Sequence, residues 1–404
     1  MISRIVTVIL LLIIATSAPQ ALKASEADVA DIGPIDSLDS LDLRAHQLID
    51  TIKTTLDGNA RIDSARFDEM PWYKQLYETG FRIHDPAINY PRFMRFALKV
   101  YDWGDHTFNS YNPDYVVGTG KNWKARIDSY NWMESYMMLF SINSRDMLHI
   151  RSNVYDDLGI HLSFMALSIG YTAKVNNWAG DKSKRSNFNF NFTTSRFSAN
   201  IDILSTEGAS HITHFGDYND GHSFNYRFND ISHKALSGEF YYFINHLKFS
   251  QAAAYCFSKY QLRSAGSPIV GFAFNNQRIA MDFSNLPPEM KQFLPSLENY
   301  YNFRFTDYGI IGGYSYNFVL RPKTWLINLT GLPSIGFRHS YSTSSEGKKM
   351  MLAANIRARF SVVYNHRALF ASLCGRLDGN LFFNAKYTFF NATESLSAIV
   401  GVRF

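Results

Sequence analysis

The sequence predicts an all-β protein: an antiparallel transmembrane β-barrel of about 12 strands (range roughly 10–14) with a small helical N-terminal extension. Three observations predict it. From Trp123 to the end, apolar and polar residues alternate with period 2 instead of 3.6. Aromatic residues are dense, with 33 Phe, 24 Tyr and 6 Trp making 16% of 404 residues, as two interfacial girdles require. Mean hydropathy is only −0.18, which suits strands that show one face to lipid and the other to water. A soluble sandwich would alternate too. It would not account for a secretion signal, the aromatic load and an amphipathic last strand together.

The first element in chain order is a targeting segment, residues 1–24. Arg4 carries the positive charge, Ile5 to Ala15 is an apolar core too short to span a bilayer comfortably, and Ala18, Ala21 and Ala24 follow. Cleavage is expected after Ala21 or Ala24, because Pro19 disfavours Ala18. Residues 25–109 form the extension, partly flexible and periplasmic. It opens Asp- and Ser-rich, then places Leu41, Ala45, Leu48, Ile49, Ile52 and Leu56 at helical spacing, with Gly58 as a stop. Pro71-Trp72-Tyr73 begins a second amphipathic stretch. Pro91 to Trp103 is a third, with Phe93, Phe96, Ala97 and Val100 on one side and Arg92, Arg95 and Lys99 among them. Packing at the barrel mouth is the expected role of such a stretch, with plugging the barrel and lying on the membrane as the alternatives.

Residues 110–404 are the barrel. Expected strands are Trp123–Tyr130, Met147–Val154, Leu158–Val175, Asn187–Phe192, a short run from Arg196 to Ser205, Ser232–Ile244, His246–Gln261, Pro268–Phe283, Phe305–Leu320, Trp325–Tyr341, Met350–Tyr364, Leu369–Leu377, Leu381–Phe390 and Ser395–Phe404. Between Asn187 and Phe192 asparagine and phenylalanine alternate. Between Met350 and Tyr364 the residues Leu352, Ala354, Ile356, Ala358 and Phe360 share a face, and Asn355, Arg357, Arg359 and Ser361 share the other. An arginine facing lipid costs roughly 2–4 kcal/mol at the midplane, so these point inward. Thr206–Ile231 and Ser284–Arg304 read as long loops facing outside. The last strand ends on Phe404, as an outer-membrane assembly signal does.

The stretch Y-V-V-G-T-G-K-N-W from Tyr115, followed by K-A-R-I-D-S-Y-N-W-M to Met133, resembles a family of Bacteroidetes envelope proteins known as domain of unknown function 4421. The likeness extends over roughly Pro91 to Phe404, and Val116 to Trp132 is its specific part. The resemblance implies an outer-membrane barrel and brings no activity or residue roles. Asp36-Ser37-Leu38, Asp39-Ser40-Leu41, Asp50-Thr51-Ile52 and Asp63-Ser64-Ala65 resemble the Asp-Ser/Thr-aliphatic triplets that Bacteroidetes glycosylate on exported proteins. The Asn191, Asn328 and Asn391 triplets matter only in a eukaryotic secretory route.

Several classes are excluded. The net charge of +5 is spread along the chain, so nucleic acid is not expected as a partner. No apolar run of about 20 residues follows the signal, so helical spans are not expected. Gly118-Thr119-Gly120-Lys121 lacks the spacing of a phosphate loop, with Tyr115 and Asn122 at the two deciding positions. Cys256 and Cys374 lie 118 residues apart and read as small apolar residues of the wall. No cofactor is expected.

Two patterns could carry chemistry. His161 and Ser163 are i and i+2 on one strand and point the same way. Outer-membrane phospholipases and lipid A deacylases use such a His-x-Ser pair, but Phe164-Met165 follow here and no orienting third group is evident. A polar barrel lining is the simpler account. His211, His214, Asp217 and His222 have imidazole and carboxylate donors that suit a divalent ion, although no helix fixes their spacing and any exposed loop looks similar. Lumen-lining residues are expected to be Asn187, Asn189, Asn191, Asn355, Arg357 and Arg359. The predicted role is a structural barrel or narrow passive channel in the Gram-negative outer membrane, with membrane lipid and the barrel-assembly machinery as partners. A lipid hydrolase using His161 and Ser163, and a surface receptor using the long loops, are the alternatives.

Overall fold

A strand with one oily and one polar face buries neither unless it meets neighbours that share the pattern. The computed structural model solves this by closing the strands on themselves. It describes residues 64–80, 82–108, 110–121, 123–140, 146–164, 167–175, 184–341, 343–345, 350–383 and 386–404. The expected signal peptide, the helical run from Leu41 to Leu56 and the triplets at Asp36, Asp39 and Asp50 lie outside the described residues.

The chain divides into two units. The small one contains α1 (Ser64–Glu69) and α2 (Trp72–Glu78). Gln75 is its pin: fully buried, it donates from Nε2 to the Phe67 and Met70 carbonyls at 2.9 Å each and accepts from the Asn89 amide at 2.7 Å. The large unit, Thr79–His84 with Tyr90–Phe404, holds α3 (Arg92–Phe108) and the barrel.

The wall runs through β2 (Trp123–Leu139), β3 (Met147–Ser152), β4 (Tyr155–Phe164), β5 (Leu167–Lys174), β6 (Lys184–Thr193), β7 (Phe197–Glu207), β8 (Ser210–Phe215), β9 (Tyr226–Phe228) and β10 (Ile231–Phe243). It continues through β12 (Ala265–Asp282), β13 (Tyr300–Arg321), β14 (Trp325–Ser340), β15 (Met350–His366), β16 (Leu369–Phe383) and β17 (Thr388–Arg403). A short β1 (Val116–Gly118) pairs with β11 (Lys259–Gln261) apart from the wall. Two short helices, α4 (Gln251–Tyr255) and α5 (Pro288–Lys291), lie in connections. β3 with β4, β7 with β8, and β9 with β10 are successive parts of single runs, each interrupted by two residues. Joined this way, the wall has the expected 12 runs, all antiparallel to their partners.

The last run closes on the first. β17 pairs with β2 from Arg403↔Lys124 to Thr388↔Leu139, and Trp123 and Phe404 exchange both backbone hydrogen bonds, at 3.1 and 3.0 Å. We call the end holding Trp123 and Phe404 the terminal rim and the other end the far rim. Near the far rim β3 pairs directly with β8, so the ring there skips β5 and β6. Toward the terminal rim the two runs separate, and β5 joins β4 while β6 joins β7. Among the described residues no ladder joins β5 to β6. The interruption in the β7–β8 run is Gly208-Ala209, both left-handed at φ +72° and +55°; Ala209 O accepts from Asn153 N at 2.8 Å, beside the gap between β3 and β4.

Outward positions carry the apolar belt. On β13 these are Tyr308, Ile310, Tyr314, Phe318 and Leu320, all exposed. Twelve steps of about 3.3 Å at a tilt of roughly 40° span about 30 Å, the height of a hydrocarbon core. Toward the far rim the same face turns polar, with Asn302, Arg304 and Thr306.

Several expected element limits shift. Thr206–Ile231 is largely strand, with a loop only over residues 216–225. Leu158–Val175 is the β4–β5 hairpin, and Leu381–Phe390 straddles the turn between β16 and β17. His246–Gln261 is no wall strand. Its centre, Gln251–Tyr255, is helical: Ser250 Oγ caps it by accepting from Ala253 N at 3.3 Å, and three consecutive alanines favour helix over sheet.

Candidate functional site

Inward positions fill the bore in three layers. At the far rim, Tyr136, Ile150, Phe215, Met281, Phe303 and Phe389 belong to one buried apolar cluster, contributed by strands from all round the ring. The connection of residues 283–299 adds Leu286, Met290 and Leu294 to it. Proline at the first turn of α5 fits there because that N–H has no helical partner. This layer is an apolar stopper.

At the terminal rim, the connection between β10 and β12 turns into the bore. Asn317 Nδ2 donates to Ser250 O at 2.9 Å, Ser361 Oγ to Ala254 O at 2.7 Å, Arg403 Nε to Phe257 O at 2.7 Å and Lys124 Nζ to Cys256 O at 2.6 Å. Tyr255 donates its hydroxyl to Asn328 Oδ1 at 2.7 Å. Gln251 reaches Tyr241 at 3.0 Å, and Phe257 stacks on Phe370 at 4.8 Å. Inward side chains of β2, β10, β13, β14, β15, β16 and β17 thus hold the one segment Ser250–Phe257, and only a segment inside the ring can reach them all. Its carbonyls are satisfied by side chains because no ladder partner exists there.

Between the two stoppers lies a polar layer. Glu239 on β10 takes Arg359 Nη2 at 3.0 Å and also pairs with Arg357 Nε. Arg359 Nη1 donates to Tyr241 Oη at 3.0 Å. Asp202 on β7 accepts from Arg376 Nη1 and Nη2 at 3.1 and 2.6 Å, and Arg376 Nε pairs with Asp378. Three carboxylates face three guanidiniums, so this layer is neutral as a group. Neutrality matters, since an unmatched charge in this setting costs several kcal/mol. Asn275 donates to Asn380 at 2.9 Å, and Asn391 to Gln277 at 3.3 Å, bridging the bore beside them. A cavity of about 60 Å³ remains, lined among others by Asn187, Asp202, His233, Arg357, Arg376 and Asp378. That is space for roughly four waters. His233 Nδ1 lies 2.5 Å from Glu134 Oε1, and Thr206 donates to Glu134 Oε2 at 2.7 Å. His233 Nε2 and Arg357 Nη1 are buried without a partner among the described residues.

Where β3/β4 leaves β7/β8, a clasp fills the fork. Arg185, at the head of β6, pairs with Asp157 Oδ1 at 2.8 Å and lies over the Tyr155 ring at 4.6 Å. Trp132 Nε1 donates to Asp157 Oδ2 at 3.0 Å.

The candidate residues fall in different places. Asn355, Arg357 and Arg359 are buried on the inner face of β15, the two arginines inside the charged layer. Asn187, Asn189 and Asn191 lie on the exposed strand β6; Asn189 is hydrogen-bonded to Asp202 and Asn191 to Asn200. His161 and Ser163 both lie on β4, and Ser163 is buried. The structure adds a group that pattern alone did not show: Asp128 Oδ1 on β2 is 2.8 Å from His161 Nε2. Two residues paired only across strands have no fixed spacing in sequence. His211 and His214 are on β8, whereas Asp217 and His222 flank the turn at Tyr218–Gly221. No group of three or more His, Cys, Asp or Glu close enough to share an ion occurs among the described residues. Cys256 and Cys374 are both free thiols. Glu239 and Asp202 went unnoticed in the sequence, because each sits among polar inward neighbours, Ser237 on β10 and Ser198 and Asn200 on β7, and does not stand out there.

The family described as Domain of unknown function (DUF4421) matches residues 110–404. No curated protein matches. Among solved structures, the outer membrane protease OmpT from Escherichia coli is similar at 7% identity and a TM-score of 0.30, over 71% of this chain and 98% of that one. A deletion mutant of the TodX monoaromatic hydrocarbon channel is similar at 6% identity and 0.23, over 70% and 91%. OmpT, an outer membrane protein of Vibrio cholerae, is similar at 9% identity and 0.17, over 69% and 98%. No residue role passes across at that level.

Proposed function

The chain belongs to the DUF4421 family, and we propose that it is an outer-membrane β-barrel that spans the membrane without conducting, a structural barrel of the Gram-negative envelope. The resemblance of Val116–Trp132 supports a Bacteroidetes origin. Residues 1–24 direct export, residues 25–109 lie in the periplasm, and residues 110–404 enter the membrane through the assembly machinery by way of the β17 strand. The terminal rim then faces the periplasm and the apolar belt meets lipid. One observation carries the reading: the bore is crossed at both ends, by the apolar cluster and by the α4 connection. The same observation disfavours the narrow passive channel, since a solute would have to displace both.

Planar-bilayer recording tests it. Wild-type protein should give no steady conductance, while replacing residues 246–261 by a short glycine-serine linker should give discrete open steps in a protein that still shows heat-modifiable migration. Steady wild-type conductance would refute the closed reading.

The second reading, a lipid hydrolase, is supported by Asp128, which supplies the carboxylate that could orient His161. Against it, Ser163 faces inward and is buried. Wild-type membranes that hydrolyse neither phospholipid nor lipid A would remove it; hydrolysis abolished by Ser163→Ala would establish it.

A further inference from the structure

We infer that α3 is an interfacial membrane anchor, lying in the periplasmic-side headgroup region of the same bilayer that holds the barrel. The inference rests on the outer-membrane reading and adds a lipid-binding surface to it. Phe93, Phe96, Val100 and Trp103 are 65%, 70%, 48% and 63% exposed. At 100° per residue they fall within an arc of about 80°. The other side of the helix, with Met94, Leu98 and Tyr101, is half-buried. The helix therefore has two apolar sides and the protein covers only one. A face of this kind turned to water would be polar in a soluble helix, and three aromatic rings in one exposed strip call for an apolar cover.

Charge decides which cover. Arg92, Arg95 and Lys99 project along one border of the aromatic strip, while Asp102 lies farther round the helix and pairs with His84 at 3.5 Å. Aromatic residues with cations beside them match the headgroup–acyl boundary, where rings sit at ester depth and cations meet lipid phosphate. Position agrees. Four residues after α3, Asn112 N donates to Leu247 O at 2.8 Å, which fixes the chain at the terminal rim. There Ile244 and Leu247, both exposed, continue the belt. With 17 residues α3 is about 25 Å long, and no described helix is long and apolar enough to cross a membrane, so α3 lies along the surface.

The test uses the full chain folded into nanodiscs of phosphatidylcholine with phosphatidylglycerol, in which the lipids carry bromine at a shallow acyl position. Subtracting Trp103→Phe emission from wild type isolates Trp103; Trp325→Phe does the same for Trp325, an exposed belt residue on β14. Bromolipid should quench Trp103 at least twofold. Phe93→Glu with Phe96→Glu should abolish that quenching while heat-modifiable migration and Trp325 quenching persist. Arg92→Gln, Arg95→Gln and Lys99→Gln together should weaken it only when phosphatidylglycerol is present. Trp325 quenched with Trp103 unquenched overturns the anchor and leaves the barrel in its membrane. Neither quenched overturns both. Trp103 shielded instead by a second copy or another protein, seen as a cross-link at Val100→Cys in the chain lacking both native cysteines, also overturns the anchor.

Discussion

The two halves of the wall are built differently. The six runs from β12 to β17 are unbroken, 15 to 22 residues each, and pair only with the next in line. The six runs from β2 to β10 are broken three times, fork once and leave β5 and β6 unjoined among the described residues. The chemistry is divided as well. Asp202 and Glu239 come from the broken half; Arg357, Arg359 and Arg376 come from the regular half. A barrel half made irregular by its fork is held to a stiff one by charge pairs across the bore. The regular half provides shape, and the irregular half is the one with room to move.

The sharpest way to break this comparison is to remove Glu239. Glu239→Ala strands two buried guanidiniums at once, and losing one partner of a buried pair costs about 3–5 kcal/mol. Urea unfolding of the barrel in detergent should show a midpoint shift of that size without a matching change in slope. A cost below about 1 kcal/mol would mean that the charged layer does not join the halves. The next effect belongs to the regular half alone. Ile310→Arg puts a cation in the middle of the β13 outward face, with an expected cost of about 2–4 kcal/mol. Phe190→Arg, on β6, should cost clearly less, because among the described residues that strand has an unpaired edge where the side chain can turn toward water. Equal costs would argue that β6 is sealed in the membrane as firmly as β13.

The same division decided what could be read from sequence. Asn355 to Ser361 alternates without a fault because lipid on one side and a packed polar interior on the other both select residues, and that stretch lies within strand β15. The strand total was legible for the same reason. The segment 246–261 was misread as wall, since a residue buried in a bore can be apolar on any side, and Ala252, Ala253 and Ala254 carry no alternation to betray it. The stretch after Thr206 was misread as loop because polar collar residues such as His211 and Thr213 replace the belt there. The charged layer was half legible: an arginine pair inside a strand is conspicuous, whereas its partner Glu239 lies about 120 residues away in sequence and Asp202 about 170 residues from its own partner Arg376, and nothing local links them.

Arg185 offers a test of the fork. Arg185→Ala leaves the Asp157 carboxylate with Trp132 as its remaining side-chain partner, a loss of about 1.5–3 kcal/mol for a bond to a charged group. The loss should stay local. Hydrogen exchange in β5 and β6 should quicken, and protease should cut between Lys174 and Lys184, while β12 to β17 keep their protection. Protection lost evenly round the ring would show that the halves unfold as one unit.

The smallest effect compares one residue type in both halves. Asn380 is buried on β16 and accepts from Asn275 at 2.9 Å, so Asn380→Ala leaves a buried amide unanswered, at about 1–3 kcal/mol. Asn189 is exposed on β6 and bonds to an Asp202 that keeps Arg376. Asn189→Ala should therefore cost no more than about 0.5 kcal/mol, the range of surface changes. The chemistry removed is the same amide, so the difference measures only the surroundings. Should Asn189→Ala prove as costly as Asn380→Ala in urea unfolding, β6 would be buried in the folded protein, and the open side of the irregular half would have to be closed by a β5–β6 ladder.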